Sequence, residues 1–249
     1  MKQSLYDKTY ELENKYWWYL SRRYIFDKVL TRFFSSKNDV QDKKILDFGC
    51  GTGGVIPMLS KHGQVLGLDV EPRALDFCRS KGFNNVALMN DYYDTGQPDS
   101  SADLVSLFDV LEHFEDDRRA LKEINRVLRV GGYTLISVPA FKSLWSDLDE
   151  VAHHFRRYTK KELSEKLNEA GFEPVKSSYL FFFLFPLVVI HKLFGKSKTK
   201  KENAEFRVTE FPSLINKILV WPSRLEAFLL RFASLPFGST LMILAKKVK

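Results

Sequence analysis

The residues Ile45-Leu46-Asp47-Phe48-Gly49-Cys50-Gly51-Thr52-Gly53 carry the strongest chemical signal in the chain. An apolar run meets an acid and then breaks into alternating glycines. A buried parallel strand reads this way when its end must turn sharply and let main chain approach a ligand. Side chains in place of those glycines would fill the space of a nucleotide-like group. Asp47, just before the turn, suits a cationic amino-acid end better than a pyrophosphate, which it would repel. Val65-Leu66-Gly67-Leu68-Asp69 reads as a second strand, and its terminal acid can accept from both hydroxyls of a ribose. Val86-Ala87-Leu88-Met89-Asn90-Asp91 reads as a third strand, with Asp91 placed to accept from an adenine amino group. A glycine turn alone is common to several nucleotide folds, and Gly49, Gly51 and Gly54 also satisfy the dinucleotide spelling. The acids around the turn favour the first reading.

Further along stand Asp103-Leu104-Val105-Ser106-Leu107-Phe108-Asp109-Val110-Leu111-Glu112-His113, an amphipathic run over 120–128, and Gly131-Gly132 ahead of an apolar strand. In this order the motifs resemble those of class I S-adenosylmethionine-dependent methyltransferases. The resemblance implies an α/β fold with a Rossmann-like seven-stranded sheet, and S-adenosylmethionine as cofactor. It implies that Asp47, Gly49, Cys50, Gly51 and Gly53 lie along the methionine end. Asp69 with Val70 would hold the ribose, Asp91 with Tyr92 the adenine, and Phe108 would lie near the sulfonium.

The segment 140–158 follows a strand end and is dense in residue types that do chemistry. Its Leu144-Trp145, Asp149-Glu150 and His154-Phe155-Arg156-Arg157-Tyr158 elements are similar to a methyltransferase subset found with polysaccharide and lipid-linked sugar pathways. Trp17-Trp18-Tyr19 and Arg22-Arg23 also look like that subset. His154 is the expected general base, because imidazole titrates near neutrality and can take a hydroxyl proton as the methyl moves. The subset usually has glycine where this chain has His153, so which ring faces the acceptor is open. Trp18, Trp145, His153, Arg156, Arg157 and Tyr158 are the expected acceptor contacts. The arginine forks suit phosphate or carboxylate; equally, one of them pairs with Asp149 or Glu150 to shape the loop. By resemblance to quinone-pathway O-methyltransferases, Arg22 or Arg23 reaches the cofactor carboxylate. Some of those enzymes hold magnesium on an acid, a second acid three residues on and the next histidine, a spacing matched by Asp109, Glu112 and His113. Magnesium prefers oxygen ligands, so no metal is assigned.

These residues must be positioned by a sheet. Strands and helices alternate over 44–138, which implies parallel strands with helices on both faces. Two helices are expected over 10–35, and a polar linker over 38–43. Thr159 and Glu162 spell a helix start, Gly171 a helix stop, and residues 172–179 a strand. The last strand falls at 239–245. More than fifty residues separate these two strands, too many for a structureless loop. The expected organisation is therefore an N-terminal helical cap over 1–37, a cofactor-binding domain over 38–180 plus 238–249, and an inserted amphipathic helical subdomain over 181–237.

The insertion holds an unbroken apolar run from Leu180 to Ile190, shorter than the ~20 residues that span a bilayer. A second apolar stretch, 214–235, is interrupted by Lys217, Arg224, Glu226 and Arg231 and by Pro222, which is expected to break it. Apolar helices beside basic residues read as a surface meeting anionic lipid. The chain of 249 residues is 45% apolar with a net charge of +7, and its bases cluster near the end rather than in a nucleic-acid-like field. Two cysteines and a polar start fit the cytoplasm, here at the inner face of a membrane. The expected activity is methylation of an oxygen on an apolar, lipid-linked or saccharide acceptor. The alternatives are a membrane-recruited protein that binds the cofactor without turnover, and an enzyme for a soluble small molecule with the insertion as a hydrophobic lid. No oligomeric state is implied.

Overall fold

The computed structural model describes residues 3–34, 42–89, 91–194 and 211–249. The chain opens with helices α1 (Gln3–Leu12) and α2 (Trp17–Phe33) and enters the sheet at β1 (Lys44–Phe48). There follow α3 (Ile56–Leu59), β2 (Gln64–Asp69), α4 (Pro72–Ser80), β3 (Val86–Leu88), β4 (Ala102–Phe108), α5 (Asp117–Val127) and β5 (Leu128–Pro139). After a short α6 (Asp147–Val151) come α7 (Lys160–Glu169), β6 (Phe172–Leu180), α8 (Phe185–Phe194), α9 (Ser213–Leu229) and β7 (Thr240–Lys247).

The seven strands form one sheet in the order β3-β2-β1-β4-β5-β7-β6. The pairs from β3 through β5 are parallel, and β7 lies antiparallel between β5 and β6. Adjacent residues point to opposite faces, and both faces are buried. Leu46, Val105, Ile136 and Ile243 pack with α5 and α7. Their neighbours Ile45, Leu104, Leu135 and Leu244 pack with α2, α4 and α9. This two-sided burial is why the strands read as unbroken apolar runs rather than alternating ones. Strand order reverses between β1 and β4, and the carboxyl ends there open the crevice where such sheets take ligands.

The third strand is shorter than its apolar run suggests. It ends at Leu88, and Asp91 instead bridges to Asp94 in the following turn. The first helix starts at Gln3, earlier than the periodicity indicates. Pro222 lies inside α9 instead of breaking it. Ile218, whose carbonyl the missing N–H leaves free, is exposed, so water can satisfy it. Most of the expected polar linker, and Lys196, Lys198, Lys200, Lys201 and Arg207, lie outside the described residues.

Among the described residues, two helices, α8 and α9, stand between β6 and β7. The chain leaves the sheet at Leu180 and returns past Gly238, where a Cβ would collide with the Leu180 main chain. The N–H of Trp17 donates to Asn216 Oδ1 at 3.1 Å, which ties α9 to α2. Glu226 on α9 has no exposed surface. Its carboxylate accepts from the N–H groups of Phe181 at 2.8 Å and Phe183 at 3.2 Å, donors that would otherwise be orphaned where β6 ends. Burial alone raises its pKa, and these donors act against that. Removing the acceptor strands the donors in apolar surroundings. Glu226→Ala should therefore cost roughly 3 kcal/mol of unfolding free energy, measured by urea titration; a loss under about 0.5 kcal/mol would show that the staple is dispensable.

Candidate active site

The turn after β1 is built for close approach. Gly49, Gly51 and Gly53 all have left-handed backbone, with φ of 72°, 53° and 80°. The N–H groups of Gly49 and Cys50 donate to the Leu68 carbonyl at 2.8 and 2.9 Å, which locks the turn to β2. A Cβ on Gly49 would come within 2.6 Å of Val110, whereas one on Gly51 would meet nothing within 4 Å. Open space thus lies over Gly51. Beside it, Asp69 Oδ2 accepts from Gly51 N–H at 2.8 Å and Oδ1 accepts from Glu71 N–H at 3.0 Å. Asp47 lies beneath the turn. Its Oδ1 accepts from Ser106 Oγ at 2.7 Å, while Oδ2 is buried with no partner. Burial pushes its pKa up to about 7. An open cradle with an unpaired buried carboxylate below and a ribose-compatible acid at one side fits a cationic adenosine derivative.

The N-terminal helices close over this turn. Glu13 is buried, accepts from Thr52 Oγ1 at 2.6 Å and pairs with Lys81. Arg23 donates to the Gly54 carbonyl at 2.7 Å and to Asn14 Oδ1 at 2.9 Å. Tyr10 stacks on Phe77 at 4.5 Å. Tyr6 is buried, and its pKa is raised by that burial and by nearby Asp69 and Glu71. Neither Glu13 nor Tyr6 stands out in the sequence; the missing Cβ of Gly54, into whose space Glu13 fits, is the one trace of the contact. Cys50 is buried, Val70 partly so, and Tyr92 is exposed with its ring edge on Phe114 at 6.2 Å. Asp91 faces Arg119 at 3.5 Å. Phe108 stacks on Phe26 at 4.4 Å.

A second cluster gathers at the carboxyl ends of β4 and β5. Arg22 does not extend to the glycine turn. It pairs with Asp109, donates to Ser137 Oγ at 3.2 Å and lies over the Trp18 ring at 4.1 Å. Trp18 is thereby packed in the helical layer. Asp109 has left-handed backbone, φ 55°, which aims its side chain back at α2. Glu112, on the turn that follows, is fully buried. Its carboxyl is held well above the ordinary range by burial and by Asp109. His113 is pulled the other way, down to about 4, by burial and by His154.

The segment after β5 delivers His154 to this cluster. Asp149 Oδ1 bonds His154 Nδ1 at 2.9 Å and accepts from Arg157 Nε at 2.8 Å; Oδ2 accepts from Arg157 Nη2 at 2.8 Å. Burial would raise the Asp149 pKa, but these bonds outweigh it and hold the carboxyl well below its usual value. His154 Nε2 then points inward, 4.0 Å from Glu112 Oε1. The other expected acceptor contacts are placed differently. Tyr158 is 1% exposed and donates to Asp117 Oδ2 at 2.8 Å, so it is a core residue. Arg156 pairs with Asp117 at 3.0 Å and donates to the Glu115 carbonyl at 2.6 Å. Arg157 is spent on Asp149 and the Ala140 carbonyl. His153 turns outward with φ 57°. Trp145 is half-buried, and its carbonyl accepts from Lys192 of α8.

The Asp47 carboxyl is raised above its unfolded value, so the stability it contributes is complete below about pH 4. That contribution drains away as pH rises through about 7. Asp47→Asn keeps the neutral shape. Without ligand, the variant should exceed the parent by roughly 4 kcal/mol at pH 8 and by nothing near pH 4. Thermal unfolding at both pH values checks this, and an equal difference at both would refute it.

Residues 46–136 match the family model described as a methyltransferase domain. An S-adenosylmethionine-dependent methyltransferase of Mycobacterium tuberculosis is 26% identical over 174 residues, covering 69% of this chain and 61% of that protein. A demethylmenaquinone methyltransferase of Staphylococcus haemolyticus is 29% identical over 182 residues, covering 68% and 62%. This chain thus spans about three-fifths of the length of these curated relatives. Among solved structures, a chain of the Haloferax volcanii complex between the Trm112 methyltransferase activator and a methyltransferase superposes with a TM-score of 0.63 at 19% identity. That match covers 99% of this chain and 95% of the other, and it supports the fold. The glycine turn, the acids around it, the strand order and the matched central segment are similar to those of class I S-adenosylmethionine-dependent methyltransferases.

Proposed function

We propose that this protein transfers a methyl group from S-adenosylmethionine to an oxygen of an apolar or lipid-linked acceptor at a membrane surface. The observation that carries the reading is the Asp149–His154 pair, which turns Nε2 away from Asp149 and towards Glu112, beside the carboxyl ends of β4 and β5. S-adenosylmethionine, when bound, would supply a methyl group made electrophilic by its sulfonium, the sulfur–carbon bond breaking to leave a neutral thioether. The chain's residues have the remaining tasks. Asp47 and the bare main chain of the glycine turn receive the cationic amino-acid end, and Asp69 receives the ribose. Asp149 fixes the proton of His154 on Nδ1, which leaves the Nε2 lone pair free to take the acceptor's hydroxyl proton as the oxygen–carbon bond forms. The proton stays on an imidazolium that the Asp149 carboxylate stabilises.

The membrane part of the reading rests on α8 and α9. Leu187 and Phe194 on α8, and Leu214, Ile218 and Trp221 on α9, are all at least 60% exposed. Lys192, Lys217, Arg224 and Arg231 are exposed beside them. No helix among the described residues is long and apolar enough to cross a membrane, so the contact would be interfacial. Phe185 of α8 lies 6.2 Å from Phe141 in the acceptor segment, which links the apolar helices to the crevice. The same contact suits a lid over a soluble acceptor, and the two readings separate on lipid binding.

His154→Ala should lower methyl transfer to a lipid extract by about 10²–10⁴-fold while calorimetry shows cofactor affinity within about twofold of the parent. Full turnover in the variant would remove His154 from the reaction. In flotation, the parent should rise with vesicles containing anionic lipid and stay down with neutral ones. Trp221→Glu should lose most of that flotation. A parent that never floats would leave the lid reading.

A further inference from the structure

We propose that Glu112, His113 and His154 form a binding site for a single divalent transition-metal ion of the zinc class. One donor atom from each residue lies within 4.8 Å of the other two. The donors come from separate loops, one following β4 and one following α6. Glu112 Oε1 is 4.0 Å from His154 Nε2, and the two imidazole rings meet edge to face at 4.7 Å.

Three independent features point to a cation there. First, Glu112 has no exposed surface, and neither carboxylate oxygen has a hydrogen-bond partner. Buried polar atoms are rarely left this way, and an unpaired buried acid is costly. Second, His154 is held from behind: Asp149 Oδ1 bonds its Nδ1. Metal-binding imidazoles are oriented by such outer partners. Third, both histidines are only partly buried, so an ion has a way in.

Bonds of about 2.0–2.1 Å in a tetrahedral zinc site put ligand atoms roughly 3.4 Å apart. Closing the observed spacing to that value would fall to the side chains of Glu112 and His113, since Asp149 pins the His154 ring. Two imidazoles and one carboxylate suit zinc, cobalt, manganese or iron, whereas magnesium prefers oxygen. The set is not the acid, acid and histidine spelling of Asp109, Glu112 and His113. Asp109 is withdrawn into its pair with Arg22, and a second imidazole enters from another loop.

The site has a consequence that rests on the proposed role of His154. Nε2 has one lone pair, so it either accepts a proton or binds the ion. A metal-loaded chain should therefore lose methyl transfer.

The test is titration of chelator-treated protein with zinc by calorimetry, and with cobalt by visible d–d absorption. Expected are one equivalent bound, tetrahedral-type cobalt bands, and no comparable binding of magnesium. Affinity should fall at least about tenfold in Glu112→Gln, His113→Ala and His154→Ala, and by about tenfold in the outer-partner variant Asp149→Asn. Circular dichroism of each variant guards against loss of fold, and the near-isosteric Glu112→Gln and Asp149→Asn keep the test decisive if an alanine variant unfolds. No zinc or cobalt binding by folded protein would overturn the site and leave the proposed reaction standing. So would binding that all four variants retain. Binding with undiminished methyl transfer would confirm the site and remove His154 as proton acceptor.

Discussion

The hydrogen bond from Gly51 N–H to Asp69 Oδ2 holds the ends of β1 and β2 in register above the sheet. It can form only because Gly49, Gly51 and Gly53 accept left-handed backbone. Much else is arranged around that turn. Asp47 is kept beneath it with one oxygen bonded to Ser106 and one unpaired. Glu13, Lys81 and Arg23 bind its far side and bring the N-terminal helices across it. A side chain at Gly49 would strike Val110, so the same turn also fixes where β4 may end.

The second organising feature is a chain of charges that runs from α2 to the loop after α6. Arg22 neutralises Asp109, Arg157 neutralises Asp149, and Asp149 orients His154. Glu112 sits between these pairs with no hydrogen-bond partner for either oxygen. Buried ion pairs of this kind seldom add net stability, because desolvation offsets attraction. Their effect here is positional. Asp149 accepts from both Arg157 and His154, which leaves the imidazole little freedom to rotate. Arg156 and Tyr158 perform a parallel task one layer down, where both engage Asp117.

The insertion is attached to this frame by polar contacts buried among apolar residues. Glu226 receives the N–H groups where β6 ends, and Asn216 receives that of Trp17. Trp17 also meets Phe181 edge to face at 5.5 Å. The inner face of α9 is thus committed to the core, through Ala227 and Leu230, while its outer face stays apolar and exposed. An exposed apolar helical face flanked by bases is a feature of proteins that rest on lipid. Because the outer face is not needed for packing, the sheet would hold together without its apolar character.

The sequence by itself determined the sheet, the glycine turn and the acids beside it. Those features are local: a strand buried on both faces must be apolar throughout, and a left-handed turn must be glycine. The start of α7 was equally legible, since Thr159 and Glu162 form their capping box within one turn of chain. Only the tertiary structure decided the partners of side chains remote in sequence. It assigned Arg22 to Asp109, 87 residues apart by their numbers, and Tyr158 to the core. It brought His154 to Glu112 across two loops and laid Glu13 on Thr52. Residue type and spacing say what a charged side chain can do, but its partner is fixed by which strand ends and loops the packed sheet brings together.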